Sequence, residues 1–350
     1  MPPEPRRVLL SDATSYKAVV LARFLKRRHP RLEVFTCDAR AGSRLLHTRF
    51  SDRHFVVPSE PEALLRLVRD TGADVFVPVN SRELDLLMPR KAEFGAALAY
   101  CGALDAYQAL HRKDLLHARA RSLGIAVPAR FESPEAVRPP AVAKPVAGAA
   151  AKGVRYLDTA QDVDRFRREC EWSSFLVQEH VLGEGAGYSV FAKDGAVLAG
   201  YGHRRLAEFP TRGGSSVYRE GWDDARARSA AERLIADTGW SGFAMFEFKR
   251  GARGELWLLE ANPRVWGSIH QPLAAGVDLL EPLFGKAQLP QRPDARTYFS
   301  PVFYGALLGY LSRGRVRPAL EFVKALPRNR ADVPLHVDPL GFLGSLLRLG

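Results

Sequence analysis

The residues best able to do chemistry lie in Leu259-Glu260-Ala261-Asn262-Pro263-Arg264 and, one strand earlier, in Phe243-Ala244-Met245-Phe246-Glu247-Phe248. Glu260 and Asn262 are two apart, so an extended chain points both to one face. Both segments lie in stretches otherwise rich in Phe, Leu and Trp, from Phe243 to Phe248 and from Leu256 to Leu259. A carboxylate at the end of a buried strand is costly unless it is paired or holds a cation. Two carboxylates and an amide oxygen are hard ligands, the set Mg²⁺ (or Mn²⁺) prefers when it also meets phosphate. Arg264 follows at once and suits an anion beside such a cation.

The elements that must carry these residues alternate between strand and helix patterns over the first ~110 residues, an α/β signature. Val8-Leu9-Leu10, Leu32 to Thr36 and Asp74 to Val79 read as strands. Tyr16 to Arg28 and Glu62 to Asp70 read as helices. A small open parallel sheet is expected, with its ligand side at the carboxyl ends of the strands. There is no GxGxxG, so a dinucleotide site is not indicated. A helix pattern runs from Ala106 to Leu123. Val142-Ala143-Lys144-Pro145 is a short strand, and the small-residue loop Gly148 to Gly153 follows it. Such a loop lets backbone amides approach phosphate closely. Ala160 to Cys170 reads as a helix and Phe175 to Glu179 as a strand. Tyr188 to Lys193 and Ala196 to His203 are strands joined by Asp194-Gly195, a hairpin signal. Arg212 to Ser216 reads as a polar loop and Asp223 to Thr238 as a helix. Phe243–Phe248 and Glu255–Glu260 form the last hairpin.

The chain of 350 residues, 46% hydrophobic, is long enough for two or three domains. Lys and Arg total 51 against 39 Asp and Glu, a net charge of +12. The excess is Arg spread along the whole chain, which reads as an Arg bias rather than a nucleic-acid surface. Cys37, Cys101 and Cys170 form neither a disulfide framework nor a zinc spacing, which favours a reducing compartment. The first residues lack a signal-peptide apolar region, and no run reaches the ~18 apolar residues of a membrane span. A cytoplasmic location is expected. His203 and His270 are isolated in sequence and read as structural.

The order of these motifs resembles the ATP-grasp superfamily, specifically its carboxylate–amine ligase-like members, over about residues 1–300. The resemblance implies an α/β (α+β) chain. A Rossmann-like pre-ATP-grasp domain would span 1–105 and an ATP-grasp domain of two α+β lobes 106–290. The small lobe would cover about 125–182, and 291–350 would form a C-terminal helical extension. Lys113, in Arg112-Lys113-Asp114, matches a Lys that reaches the nucleotide phosphates; the alternative is a solvated helix Lys. Lys144 matches the second phosphate-contacting Lys. The loop Gly148–Gly153, with Lys152 and Gly153, resembles the mobile glycine-rich loop over the phosphates. It has alanines where Ser or Thr is common, which leaves backbone amides and Lys152 as donors.

Gln178-Glu179-His180-Val181 resembles the hinge that reads adenine, and Glu184 the acid that accepts from the ribose hydroxyls. An ordinary loop around Gly183-Glu184-Gly185 is the competing reading. Glu247, Glu260 and Asn262 match the metal ligands. Arg264 matches the Arg that contacts the reacting phosphoryl or acyl group; a structural pair with Glu247 is the alternative. Arg204, Arg205 and Arg212-Gly213-Gly214-Ser215 stand where family members often bind the carboxylate substrate, or form a surface basic loop. Gly267 and Ser268 are candidates to face the acceptor.

The resemblance implies ATP and Mg²⁺ as cofactors and small-molecule or peptide carboxylate and amine substrates, with no nucleic acid partner. The expected reaction activates the carboxylate as an acyl-phosphate, then joins it to an amine with release of ADP and phosphate. Carboxylation or phosphotransfer to another oxyanion, and an inactive nucleotide-binding scaffold, are the alternatives. A homodimer is compatible with this reading. Pro301–Leu311 and Leu340–Leu349 are apolar, with Arg313, Arg315 and Arg317 between them. An element packed on the grasp domain is the preferred reading of this tail over a membrane-surface contact.

Overall fold

The computed structural model describes residues 6–98, 100–146, 153–210, 213–284, 294–314, 316–325 and 330–347. Four parallel strands open the chain: β1 (Arg7–Leu10), β2 (Glu33–Asp38), β3 (Arg53–Val56) and β4 (Val75–Val77), in the order β3-β2-β1-β4. Apolar runs such as Val8-Leu9-Leu10 suit strands covered on both faces. The helix α1 (Tyr16–Arg28) starts where Ser15 accepts from the Lys17 amide at 3.3 Å. It ends in Lys26, Arg27 and Arg28, which complement the helix dipole. The chain reverses order at β1, so the loops after β1 and β4 meet at the carboxyl edge of the sheet.

The second sheet is small and antiparallel: β5 (Ala141–Pro145), β6 (Arg155–Leu157) and β7 (Phe175–Glu179), in the order β6-β5-β7. The Ala160–Glu169 helix lies over it. Thr159 and Asp162 cap that helix reciprocally, and Val163 and Phe166 bury against Ala143 and Val177.

The third sheet has seven strands in the order β12-β11-β8-β9-β10-β13-β14. These are β8 (Glu184–Lys193), β9 (Ala196–Phe209), β10 (Ser215–Gly221), β11 (Gly242–Arg250), β12 (Leu256–Asn262), β13 (Arg296–Tyr298) and β14 (Arg330–Ala331). Asp194 and Gly195 both take positive φ, 49° and 78°, the conformation a two-residue hairpin with the native twist requires. The Ala225–Thr238 helix buries Ala227, Ala231, Leu234 and Ile235 against this sheet.

Three outcomes differ from the sequence expectation. The pattern from Ala106 to Leu123 folds as two helices, Leu104–His111 and Lys113–Ser122, broken at extended Arg112 (φ −80°, ψ 120°). Ser215 and Ser216 leave the polar loop and begin β10, paired with Phe209 and Glu208. Among the described residues after 293 are the helices Ser300–Leu311, Val316–Ala325 and Pro339–Leu347, and also β13 and β14, which end the large sheet on one side. A buried ion pair between Arg219 of β10 and Asp332 fastens this segment to the sheet. No helix of the described residues is long and apolar enough to cross a membrane.

Candidate active site

β11 and β12 run antiparallel, and Glu247 stands opposite Glu260 in their register. A bulge follows between Glu247 and Phe248. Asn262 lies opposite Met245, and its side-chain amide donates to Glu247 Oε1 and to Glu260 Oε1, each at 3.3 Å. Alternation along each strand sends Phe246, Phe248 and Ala261 into the core. The three polar side chains are thereby gathered on the other face.

Cations surround this cluster. Lys113 opens the second half of the broken helix, and its backbone amide donates to Val146 O at 2.9 Å. That bond ties the helix start to the end of β5. It leaves Lys113 buried, with Nζ 3.8 Å from Glu260 Oε2. His117, one turn on, bonds Leu259 O at 2.9 Å and holds the helix against β12. Lys144 projects from β5, half-buried, into the field of Glu260 and Glu247. Arg205 of β9 bonds Glu247, and its NH1 lies 3.3 Å from Glu208.

The charges respond to these surroundings. Burial pushes Glu247 above the usual carboxylate range, against the pull of Arg205. Burial also acts upward on Glu260, but Lys113 and Lys144 outweigh it and hold this carboxylate low. Burial lowers Lys144, with Glu260 opposing. The arrangement therefore keeps Glu260 ionised between two lysines. It can hold a divalent cation on the oxygens of the two carboxylates, and an anion on the surrounding cations. Asn262, which here turns its amide nitrogen to both carboxylates, would add its Oδ1 on rotation.

Arg264 links the cluster to the turn after β4. Its Nε donates to Ser81 Oγ at 2.7 Å, its NH1 to Val265 O and its NH2 to Asn262 Oδ1, both at 2.8 Å. Glu247 therefore pairs with Arg205, and Arg264 is engaged elsewhere. Gly267 lies beside the Tyr16 hydroxyl at the start of α1, with no room for a side chain. Ser268 is buried, 3.2 Å from His203 Nε2.

The remaining expected residues sit around this centre. Gln178 is buried in β7, and its Oε1 accepts no hydrogen bond among the described residues. Glu179 Oε1 accepts from the Ala129 amide at 3.0 Å. The His180 amide donates to Pro140 O at 3.2 Å, and Val181 is half-buried beside it. Exposed Glu184 opens β8, 3.7 Å from Arg250. Gly153 lies by Pro145 at the foot of β6, and Gly213 lies against the Tyr156 hydroxyl. Gly214 O is 3.5 Å from Arg205 NH1, and Ser215 is exposed. Lys152, Arg212 and most of the Gly148–Gly153 loop lie outside the described residues.

Sequence reasoning passed over Ser81, Tyr16 and His117. Their only local signals were the polar ends of β4 and of the β1–α1 loop, and a His one turn after Lys113. Among the described residues no group of three or more His, Cys, Asp or Glu side chains gathers to hold a metal; the candidate site brings two carboxylates and an amide together.

Residues 111–268 match the ATP-grasp domain family. No curated protein is significantly similar to the chain in sequence. Several solved structures share its fold. One is the biotin carboxylase domain dimer of Hydrogenobacter thermophilus 2-oxoglutarate carboxylase, in complex with MgADP, ADP and bicarbonate. It is 14% identical, with 84% of this chain and 73% of that chain covered and a TM-score of 0.64. N5-carboxyaminoimidazole ribonucleotide synthetase from Thermotoga maritima is 14% identical, with 83% and 79% covered and a TM-score of 0.62. L-amino acid ligase from Bacillus licheniformis is 14% identical, with 83% and 78% covered and a TM-score of 0.60. At this identity the likeness is one of fold. The matched domain, the mixed α/β architecture and the fold of these neighbours agree: residues 111–268 of the chain form an ATP-grasp domain.

Proposed function

We propose that the protein is an ATP-dependent ligase that activates a carboxylate as an acyl-phosphate and joins it to an amine, releasing ADP and phosphate. The observation that carries this reading is the Glu247, Glu260 and Asn262 cluster faced by Lys113 and Lys144 on an ATP-grasp fold. Its hard oxygen donors fit Mg²⁺ or Mn²⁺. Bound there, the metal would neutralise charge on the phosphate oxygens as the γ-phosphoryl group moves. The MgADP complex of the Hydrogenobacter neighbour supports the same cofactor pair.

Lys113 and Lys144 would hold the phosphates by charge-assisted hydrogen bonds. Gln178 to Val181 would read adenine, Glu184 the ribose, and the loop carrying Lys152 and Gly153 would cover the phosphates. Arg264 would steady the reacting oxyanion, fixed in place by Ser81 and Asn262. A carboxylate oxygen attacks the γ-phosphorus, and ADP leaves with the bond electrons. The amine then attacks the carbonyl carbon, and phosphate departs carrying that carboxylate oxygen while the amine proton passes to solvent. Positioning and fixed charge supply most of the first step. Arg205, Arg212, Gly213, Gly214, Ser215, Gly267 and Ser268 remain the proposed substrate-side residues. Arg205, already committed to Glu247 and Glu208, would act there through its remaining donors.

Bicarbonate as the oxyanion is a second reading, favoured by the bicarbonate present with MgADP in the Hydrogenobacter neighbour. Nucleotide products measured over a panel of carboxylates and amines test both. ADP release that needs a carboxylate and an amine supports ligation, and ADP release that needs bicarbonate supports carboxylation. AMP and pyrophosphate would contradict both.

A further inference from the structure

Farther along α1 from Tyr16, a cavity of about 370 Å³ opens between the first domain and the end of the chain. Val20, Phe24 and Leu273 form apolar walls. The rest of its lining is largely basic: Arg23, Arg27 and Arg28 from α1, His270 from the helix after the Arg264 loop, and Arg330 from β14. Among the described residues no Asp or Glu lines it. Val20, Arg23, Phe24 and Arg27 follow the three- and four-residue spacing that places them on one face of α1. The cavity shares no lining residue with the cluster around Glu260.

The local carboxylates are already committed. Asp332 bonds Arg219 and His270, Asp278 lies 3.5 Å from Arg28, and Asp338, the other carboxylate whose charge reaches Arg23, accepts from Thr48 Oγ1 and the Gly341 amide. Two of the arginines are anchored by uncharged groups instead: Arg23 NH2 donates to Asp332 O at 2.8 Å and Arg330 NH1 to Ala274 O at 3.2 Å. Those bonds fix the guanidinium groups without neutralising them. Burial, and then the Arg27 charge, push Arg23 down to about 10. The cluster thus concentrates positive charge at the wall of a cavity of small-molecule size. Guanidinium forks there match the geometry of phosphate and carboxylate oxygens.

We propose that this cavity is a second ligand site, which binds a small soluble polyanion bearing two or more phosphate or carboxylate groups. Arg23 and His270 are buried in the recess, out of reach of a planar lipid surface. Arg27 and Arg330 are exposed at its rim and meet the ligand first.

Inorganic pyrophosphate is the probe, titrated into the full chain by calorimetry. The Arg27→Gln, Arg330→Gln double variant is expected to weaken its binding about tenfold or more. Lys144→Ala, altered at the nucleotide cluster, weakens any pyrophosphate bound there and is expected to leave the separate, arginine-dependent binding event within about twofold. Both changed arginines are exposed, and circular dichroism checks the fold. Arg27→Gln alone serves if the double variant misfolds, with a smaller loss expected. No pyrophosphate binding, equal affinity in the arginine variants, or a loss confined to Lys144→Ala would overturn the proposal. So would arginine-dependent binding to phosphatidylglycerol vesicles that saturating pyrophosphate fails to compete. A change in sedimenting mass at unchanged pyrophosphate affinity would assign the arginines to a contact between copies and overturn it too.

Discussion

Glu247 and Glu260 face one another across β11 and β12, and the Asn262 amide bridges them at 3.3 Å to each. Like charges placed opposite one another in an antiparallel pair are destabilising. Here each carboxylate has its own cations: Arg205 for Glu247, Lys113 and Lys144 for Glu260. The two carboxylates shift in opposite directions as a result, Glu247 up and Glu260 down. A pair so arranged is costly as architecture alone and well suited to a cation brought in with phosphate.

Glu260→Ala should reduce ATP turnover by about 100-fold or more while the far-ultraviolet circular dichroism stays native. The change removes one of two carboxylates and leaves Lys113 and Lys144 facing each other. Near-normal ADP formation by a folded variant would remove the metal role of this residue.

Lys144→Ala should weaken ATP binding about tenfold or more, since a half-buried ammonium facing phosphate makes a charge-assisted contact. Titration calorimetry reads this directly. Unchanged nucleotide affinity would remove Lys144 from the phosphate site.

Ser81→Ala should lower kcat about fivefold with little change in the KM for ATP. Ser81 Oγ is the acceptor that fixes Arg264 Nε, and one such hydrogen bond contributes about 1 kcal/mol. The loss falls on the orientation of Arg264, so steady-state kinetics should separate it from nucleotide binding. An unchanged kcat would show that Asn262 and the Val265 carbonyl suffice to hold the arginine.

Glu83 should make stability depend on pH. Burial, then the Asp12 charge, raise this carboxyl from 4.5 to about 7, and it accepts from Ser11 Oγ. Between those values the folded chain holds a proton that the unfolded chain has released. The stabilisation is fully present below about 4.5 and is lost as pH rises through about 7. It amounts to roughly 3 kcal/mol at most. Chemical denaturation of wild type and Glu83→Gln from about pH 4.5 to about pH 7 should show a fall in stability that the variant flattens. Parallel pH profiles would contradict this.

Much of the site was legible because it rests on local periodicity. The two-residue spacing of Glu260 and Asn262 in an apolar strand announced their common face, and Asp194-Gly195 announced its hairpin. What escaped depends on contacts distant in sequence. The helix read through Arg112 is broken where the Lys113 amide bonds Val146, at the end of β5 in the second sheet. That break positions Lys113, yet nothing local marks it. Arg205, read from the sequence as a substrate-side residue or part of a surface basic loop, is brought to Glu247 by β9. β13 and β14, of three and two residues, are too short to carry a pattern and exist through pairing with β10 and with each other. Ser81 became visible only once Arg264, far along the chain, reached back to it.

The most direct test of acyl-phosphate chemistry follows oxygen. A carboxylate substrate from the product panel, labelled with ¹⁸O in its carboxyl group, is turned over with MgATP and amine, and the released phosphate is analysed by mass spectrometry. The account predicts one ¹⁸O atom in each phosphate released, because the bridging oxygen leaves with phosphorus when the amine attacks. Unlabelled phosphate would mean simple ATP hydrolysis, and ¹⁸O in AMP would mean adenylation; either would contradict the proposed ligase.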